Sequence, residues 1–324
     1  YEAEEGADNR FEGKTFVLTT DLNLNGEAWT PIGTSTNPFK GVFDGGNHII
    51  SNLCVDGGTS SNQGLFGYTT DGEIKNIIVE NAIVKGRLNI GVVAGTPYTS
   101  KFTNIIVRGH VEVNGMAYVG GVGGKNAYAD WTNVTVDVDE TSYVKAHSIE
   151  NGTAYRTYVG GVVGFNGEGG HSFTNITSNI NVEGSTCDPG GLFGIAHYGN
   201  KFENCSCSGN VTIYAAEEAE EAQEMGGIAG VWHNESGYTV TFTNCKFTVN
   251  AAATVKENVC DFYTTTIFTG CDFQAGFKFN FSDLKDNLIT EKITLVDCSV
   301  SGIAIEDAVY DLTSENVTFA VPTV

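Results

Sequence analysis

Charge is scarce in this chain, and basic charge scarcer still. Only 17% of its 324 residues are charged, against roughly a quarter in an ordinary globular domain, and just four are arginine. Seventeen basic residues face 39 acidic ones, a formal net charge of −22. Phosphate contacts need clustered cations, so neither nucleic acid nor an anionic membrane surface is an expected partner. No apolar run approaches the roughly 18 residues of a membrane-spanning helix, so no direct membrane insertion of this chain is expected. Helix-forming stretches rich in Ala, Leu, Lys and Glu are almost missing, and proline contributes only five residues. The chain begins at Tyr1 with neither methionine nor a hydrophobic leader, as expected of a processed product.

Glycine and asparagine fill the gap, with 41 and 29 copies. A hydrophobic content of 41% is too high for disorder, and glycine without a three-residue period excludes collagen. The expectation is an all-β chain. Its repeats say which kind. A block of Gly, apolar, any, small recurs as GLFG at 64–67, GVVA at 91–94, GVGG at 121–124, GVVG at 161–164, GLFG at 191–194 and GIAG at 227–230. Between and beyond the blocks lie ten short apolar strands: IISNLCV (49–55), EIKNIIV (73–79), KFTNIIV (101–107), DWTNVTV (130–136), SFTNITS (172–178), KFENCSC (201–207), TFTNCKF (241–247), IFTGCDF (267–273), ITLVDCSV (293–300) and TSENVTF (313–319). Their central position holds Asn52, Asn76, Asn104, Asn133, Asn175, Asn204, Asn244 and Asn316, with Gly270 and Asp297 as exceptions.

Such alternation marks strands with one buried face, and the wide, regular spacing suits one full coil of a solenoid better than a sandwich. The fold expected is a single-stranded right-handed parallel β-helix of about ten coils, the hand following from the strong bias of parallel crossovers. Residues 1–324 form one β-helix domain, with 1–40 as N-terminal capping segment and first coil, 41–255 as repeats and 256–324 as diverged coils. Six aromatics from Phe102 to Phe268 should stack down the core. The asparagines should form an amide ladder at a bend. Cys205, Cys245, Cys271 and Cys298 fall at one inward position, and Cys207 lies inward two residues later, which predicts reduced, buried thiols. Four of the eight Asn-x-Ser/Thr triplets are ladder positions, expected to be buried and therefore not glycan acceptors.

The glycine blocks and Asn strands resemble the GLUG-type repeats of bacterial surface proteins, over about residues 11 to 255. The stretch FEGKTFVLTTDLNLNGEAWTPIGTSTNPFKGVFDGGNHIISNLCVDG (11–57) is similar to the segment that opens such arrays in gut anaerobes of the Bacteroides kind. The resemblance implies an extracytoplasmic, cell-surface or secreted, adhesin-like β-helix, and it carries over no catalytic residue.

Two places depart from the repeat. Extra residues at 137–158 and 213–226 leave the same corner in coils one apart and could flank a groove floored by 184–190; the second, IYAAEEAEEAQEM, is helix-like. Short loops after the blocks carry Tyr68, Tyr98, Tyr128, His171, His197, Tyr198, Trp232 and His233. Of these, Tyr98, Tyr128, His197, Tyr198, Trp232 and His233 are the candidate ligand-binding residues, because exposed rings along an axis suit sugar faces. No metal or cofactor is expected: the chain lacks CxxC and HxxxH pairs, EF-hand loops and GGxGxD repeats. The function expected is a non-enzymatic cell-surface binding or adhesion scaffold for a neutral glycan or a host protein. The alternatives are a polysaccharide lyase or hydrolase, which needs converging carboxylates or a carboxylate with an arginine, and a purely structural spacer.

Overall fold

The computed structural model of the chain describes residues 11–147, 149–150, 153–154, 157–167, 169–185, 187–197, 199–213, 227–233, 239–248, 250–251, 259–262, 265–275, 278–280, 292–311 and 317–318. Every regular element among them is a strand, and the strands wind into a parallel β-solenoid of about seven turns. Each coil has three faces. The first is a 22-stranded sheet that runs the length of the solenoid. The second is a four-stranded sheet of Leu88–Gly91, Ala117–Gly120, Thr157–Gly160 and Cys187–Gly190. The third is a nine-stranded sheet, parallel from Phe66–Thr70 to Lys278–Asn280 and closed by the antiparallel Val317–Thr318.

Register explains why the turns are fewer than the strand copies. IISNLCV does not stack on EIKNIIV. Ile50, Leu53 and Val55 pair with Val79, Ala82 and Val84, so 49–55 lies over 78–84, while 73–75 pairs with 42–44. The strand Glu73–Lys85 therefore carries two bends, at Asn76 and Asn81, and the first copy belongs to the second bend. Both segments share the alternation of buried apolar residues around an asparagine, which is why they look alike in sequence. At the other end the chain stops adding coils and folds back. Ala308–Asp311 runs antiparallel to Lys292–Val296 and covers the terminal edge of the first face. The copy at 313–319 lies almost wholly outside the described residues.

The asparagine ladder exists, and its cause is backbone conformation. Asn76, Asn104, Asn133, Asn175, Asn204 and Asn244 all sit in the left-handed region, φ between 52° and 57°. Asparagine tolerates that region better than other side chains that bear a Cβ. The exceptions obey the same rule, Gly270 at φ 62° and Asp297 at φ 52°. Each amide then bonds along the axis: Nδ2 of Asn104, Asn133, Asn175 and Asn204 donates to Oδ1 of Asn76, Asn104, Asn133 and Asn175 at 2.7–2.9 Å. The first rung is Asn76, which donates to Asp44. The expectation that ladder positions are buried is corrected. Asn104, Asn133, Asn175, Asn204 and Asn244 are exposed, because a left-handed bend turns the side chain away from the core.

Inside, aromatic rings stack as expected. Phe102 lies on Trp131 at 4.2 Å between centroids, and Phe173, Phe202, Phe242 and Phe268 follow one another at 5.0–5.1 Å with planes within 12°. Trp131 and Phe173 are register partners between the two runs. A shorter inner ladder supports Trp131: its Nε1 donates to Asn126 Oδ1, and Asn126 Nδ2 donates to Asn166 Oδ1.

The thiols of Cys205, Cys245, Cys271 and Cys298 form a third column, each at most 1% exposed, and all are free. Hydrogen bonding to the thiol below raises the pKa of Cys245, of Cys271 to about 12, and of Cys298, while burial pushes Cys207 up to about 12. Cys54 is half-buried and also free.

The glycine blocks mark the corner between the second and third faces. Gly91 pairs with Gly120, and Ala94 with Gly123, so the block at 91 is offset by one residue from the one at 121 and its final glycine is Gly95. A Cβ on Gly95, Gly124, Gly164 or Gly194 would strike the second-face backbone of the preceding coil at Asn62, Ile90, Val119 or Val159.

Two measurements check this account. Asn133→Ala should destabilise the fold by roughly 1–3 kcal/mol, through a left-handed alanine and two lost ladder bonds, while Asn133→Gly should lose less. Chemical denaturation reads the order, and equal losses would contradict a left-handed origin for the ladder. In the native protein a thiol reagent should leave Cys205, Cys207, Cys245, Cys271 and Cys298 unmodified until the chain unfolds, as peptide mass analysis would show.

Candidate functional site

The corner where the third face returns to the first is built on a recurrent bend. Asp71, Thr99, Tyr128, Gly170 and Gly199 all have positive φ, from 44° to 80°, and each precedes a ladder asparagine by five residues. Glycine and aspartate fit this conformation, whereas Thr99 and Tyr128 are strained in it. The loops are sewn to their neighbours. Thr99 Oγ1 accepts from Asp71 N, Ser100 Oγ accepts from Gly72 N and donates to Thr69 Oγ1, and Thr99 N donates to Ala127 O.

On this frame stands a column of rings. Tyr68 stacks on Tyr98 at 6.3 Å, Tyr98 meets Tyr128 edge-on at 5.5 Å, and Tyr128 meets His171 edge-on at 5.7 Å. Tyr128 is 41% exposed and the other three are partly exposed. Burial, then the neighbouring Tyr98 hydroxyl, raises the pKa of Tyr68, which keeps its hydroxyl protonated at any physiological pH. His171 Nδ1 lies 3.3 Å from Asp130 Oδ1, and its Nε2 is buried without a hydrogen-bond partner among the described residues. Beside the column, an open cleft of about 490 Å³ is lined by Lys40, Lys101, Glu12, Asp71, Glu73 and Thr99 among others, mixing both signs of charge.

Of the candidate residues, the structure thus brings Tyr98 and Tyr128 together and adds Tyr68 and His171. His197 and His233 are register partners on the third face, and Trp232 pairs with Ala196. Tyr198 lies outside the described residues. The first insertion narrows to an antiparallel hairpin, Ile149–Glu150 with Thr153–Ala154, because Tyr143–His147 is an ordinary first-face strand paired to both neighbouring coils. The second, apart from Ile213, lies outside the described residues.

One constellation was not foreseen. On the first face His110 bridges two carboxylates, Nδ1 to Asp139 Oδ2 and Nε2 to Glu112 Oε1, both at 3.2 Å, and Tyr143 donates its hydroxyl to Glu112 Oε2 at 3.2 Å. Arg108 pairs with Glu80 at 2.9 Å nearby. The residues are separated in sequence but one coil apart in space: His110 and Asp139 differ by 29 positions, Arg108 and Glu80 by 28. Reading the sequence at the coil period would have found them. The Thr141 hydroxyl first, then Ser142, the Thr141 amide and His110, hold Asp139 down at about 2, while Glu112 foremost raises His110. No group of His, Cys, Asp and Glu among the described residues is arranged to hold a metal ion.

No family model matches the chain. It is similar to halomucin of Haloquadratum walsbyi, 33% identical over 113 residues, which is 31% of this chain and 1% of halomucin. The chain thus spans a small fraction of the curated relative it matches. A Bacteroides ovatus crystal structure, provisionally named an immunoglobulin A1 protease, aligns with 95% of this chain and 76% of its own at 17% identity and a TM-score of 0.48. No helix of the described residues is long and apolar enough to cross a membrane.

The His110 cluster carries a pH signature. A histidine whose folded pKa is raised stabilises the fold fully below its unfolded value near 6.5 and loses that contribution as pH rises through the folded value. The melting-temperature gap between the native protein and His110→Asn should therefore be present at pH 6 and shrink toward pH 8.5. A gap that grows with pH would refute the bridging role.

Proposed function

We propose that this chain is a non-enzymatic binding scaffold, extracytoplasmic and displayed at a bacterial cell surface, that takes a neutral glycan on the ring column of Tyr68, Tyr98, Tyr128 and His171. The observation that carries this reading is Tyr128, a bulky residue in a strained left-handed conformation with its ring exposed between two others. Core packing does not require it, because the equivalent bends at Gly170 and Gly199 do without a side chain. Flat, partly exposed rings spaced along a rigid axis suit the apolar faces of successive sugars, and aromatic anchors lose little entropy on binding. In this reading His197 and His233, which are register partners, and Trp232 continue the third-face edge toward the C-terminal coils. The repeat resemblance supports a surface location.

A second reading rests on the His110 cluster, where two carboxylates converge on an imidazole beside a tyrosine, groups able to move protons in glycan cleavage. Both carboxylates are already held by His110 and hydroxyl donors, which favours a structural role.

A glycan array followed by titration tests the first reading. Tyr98→Ala with Tyr128→Ala should weaken binding of the selected neutral glycan by at least about tenfold, the scale of losing two stacked rings, with the melting temperature nearly unchanged. Binding only to protein probes, or release of reducing or unsaturated ends from polysaccharides, would overturn it.

A further inference from the structure

A different column, running along the second face, changes its chemistry partway along the axis. Its first rungs are Asn62 and Asn89, both left-handed at φ 60° and 59°, with Asn89 Nδ2 donating to Asn62 Oδ1 at 2.7 Å. The next position in register keeps the left-handed backbone, φ 57°, but carries Tyr118, and the one after it carries Tyr158. A tyrosine there gives up the amide ladder and takes on backbone strain that asparagine or glycine would largely avoid.

The strain is not offset by full burial. Tyr118 and Tyr158 stack at 6.1 Å with planes 11° apart, Phe165 tilts against both at 4.9 and 5.7 Å, and all three rings are partly exposed. Lys125 reaches into the same group, its Nζ 5.9 Å from the Tyr118 centroid and 5.5 Å from that of Phe165. Lys75, Arg108 and Lys145 pair with carboxylates. Lys125, like Lys85, Lys101, Lys201 and Lys246, has no carboxylate partner among the described residues, and what sets it apart is its place over two rings. In a chain of net charge −22, an ammonium held only by ring faces is conspicuous.

We propose that Tyr118, Tyr158, Phe165 and Lys125 form a binding site for a carboxylate-bearing sugar, separate from the ring column above. The tyrosine faces take the apolar face of the sugar ring, and Lys125 Nζ donates to its carboxylate as a charge-assisted hydrogen bond. A neutral sugar could use the rings but would leave the cation unanswered. The overall negative charge does not forbid an acidic ligand, because at physiological ionic strength charges more than about 8 Å away are screened while a direct contact is not.

Calorimetric titration with uronate- and sialate-bearing oligosaccharides, each beside its methyl ester, tests the site in 0.15 M salt. At least one acid should bind, with its ester at least about tenfold weaker, the scale of one lost charge-assisted bond. Lys125→Met, which keeps the length of the stem, should lose a similar factor. Tyr118→Asn should abolish binding while the melting temperature stays level or rises, since asparagine suits the left-handed backbone and restores a rung above Asn89. The pair Tyr98→Ala with Tyr128→Ala should leave acid binding unchanged, so failure of the neutral-glycan site would be distinguishable. Binding of none of the acids, equal binding of acid and ester, or full affinity in Lys125→Met would each overturn the proposal.

Discussion

The fold depends on one backbone requirement met again in every coil: a single residue must enter the left-handed region so that a strand can bend without leaving the sheet. Asparagine satisfies it twice over, by tolerating positive φ and by offering a donor and an acceptor that reach the same residue one coil away. A parallel stack repeats that spacing at about 4.8 Å, so the amides join into a chain of hydrogen bonds. Adjacent strands are thereby fixed in register at the bend, and that register is what brings Phe202 over Phe173 and Cys245 over Cys205. A shift by one residue would turn every buried side chain outward.

Within that register the core sorts by column. Aromatic rings form one column, valines and isoleucines fill other inward positions, and cysteines form a column just after the bend. The thiols show how far the environment dictates chemistry: those of Cys245, Cys271 and Cys298 are enclosed and hydrogen-bonded to a neighbouring thiol, which disfavours the thiolate and with it both oxidation and metal binding. The glycine corner is the complementary constraint. There the chain of one coil passes so close to that of the one before that no Cβ fits, and the blocks are the trace of this approach in the sequence.

Most of this was legible in the sequence because a solenoid writes its contacts at a fixed period. The Asn strands, the aromatic stack from Phe102 to Phe268 and the thiol column all follow from aligning the copies. What misled was the similarity between the two bends of a coil. The segment 49–55 reads like 73–79 but stacks on 78–84, since both bends need the same residue type with the same apolar flanks. Outward or inward placement of the asparagines was also illegible, because it depends on the sign of φ and not on composition. Of the candidate residues, Tyr98 and Tyr128, singled out by their place after the glycine blocks, stand side by side in one column. The grouping of Tyr118, Tyr158 and Lys125 was illegible, because they stand inside the strands and look like ordinary filler.

The same rule that explains the fold also points to where it is set aside. A column that needs a left-handed residue is best served by Asn, Gly or Asp, and most such positions among the described residues comply. Phe11 and Ser301, near the two ends, do not, and within the columns Tyr118, Tyr128 and Thr99 do not. Each sits among neighbours that show the comfortable alternative was available one coil away: Asn89 for Tyr118, Gly170 for Tyr128, Asp71 for Thr99. Stability alone favours the alternative, so these three residues must contribute something that their backbone positions do not reward. Two of them place part-exposed rings on the surface, in two different columns, and the third binds the loop of the preceding coil through its hydroxyl. Within the columns, residues set against the local backbone preference, on an otherwise compliant scaffold, gather in the coils between Tyr68 and His171, where both proposed binding sites lie.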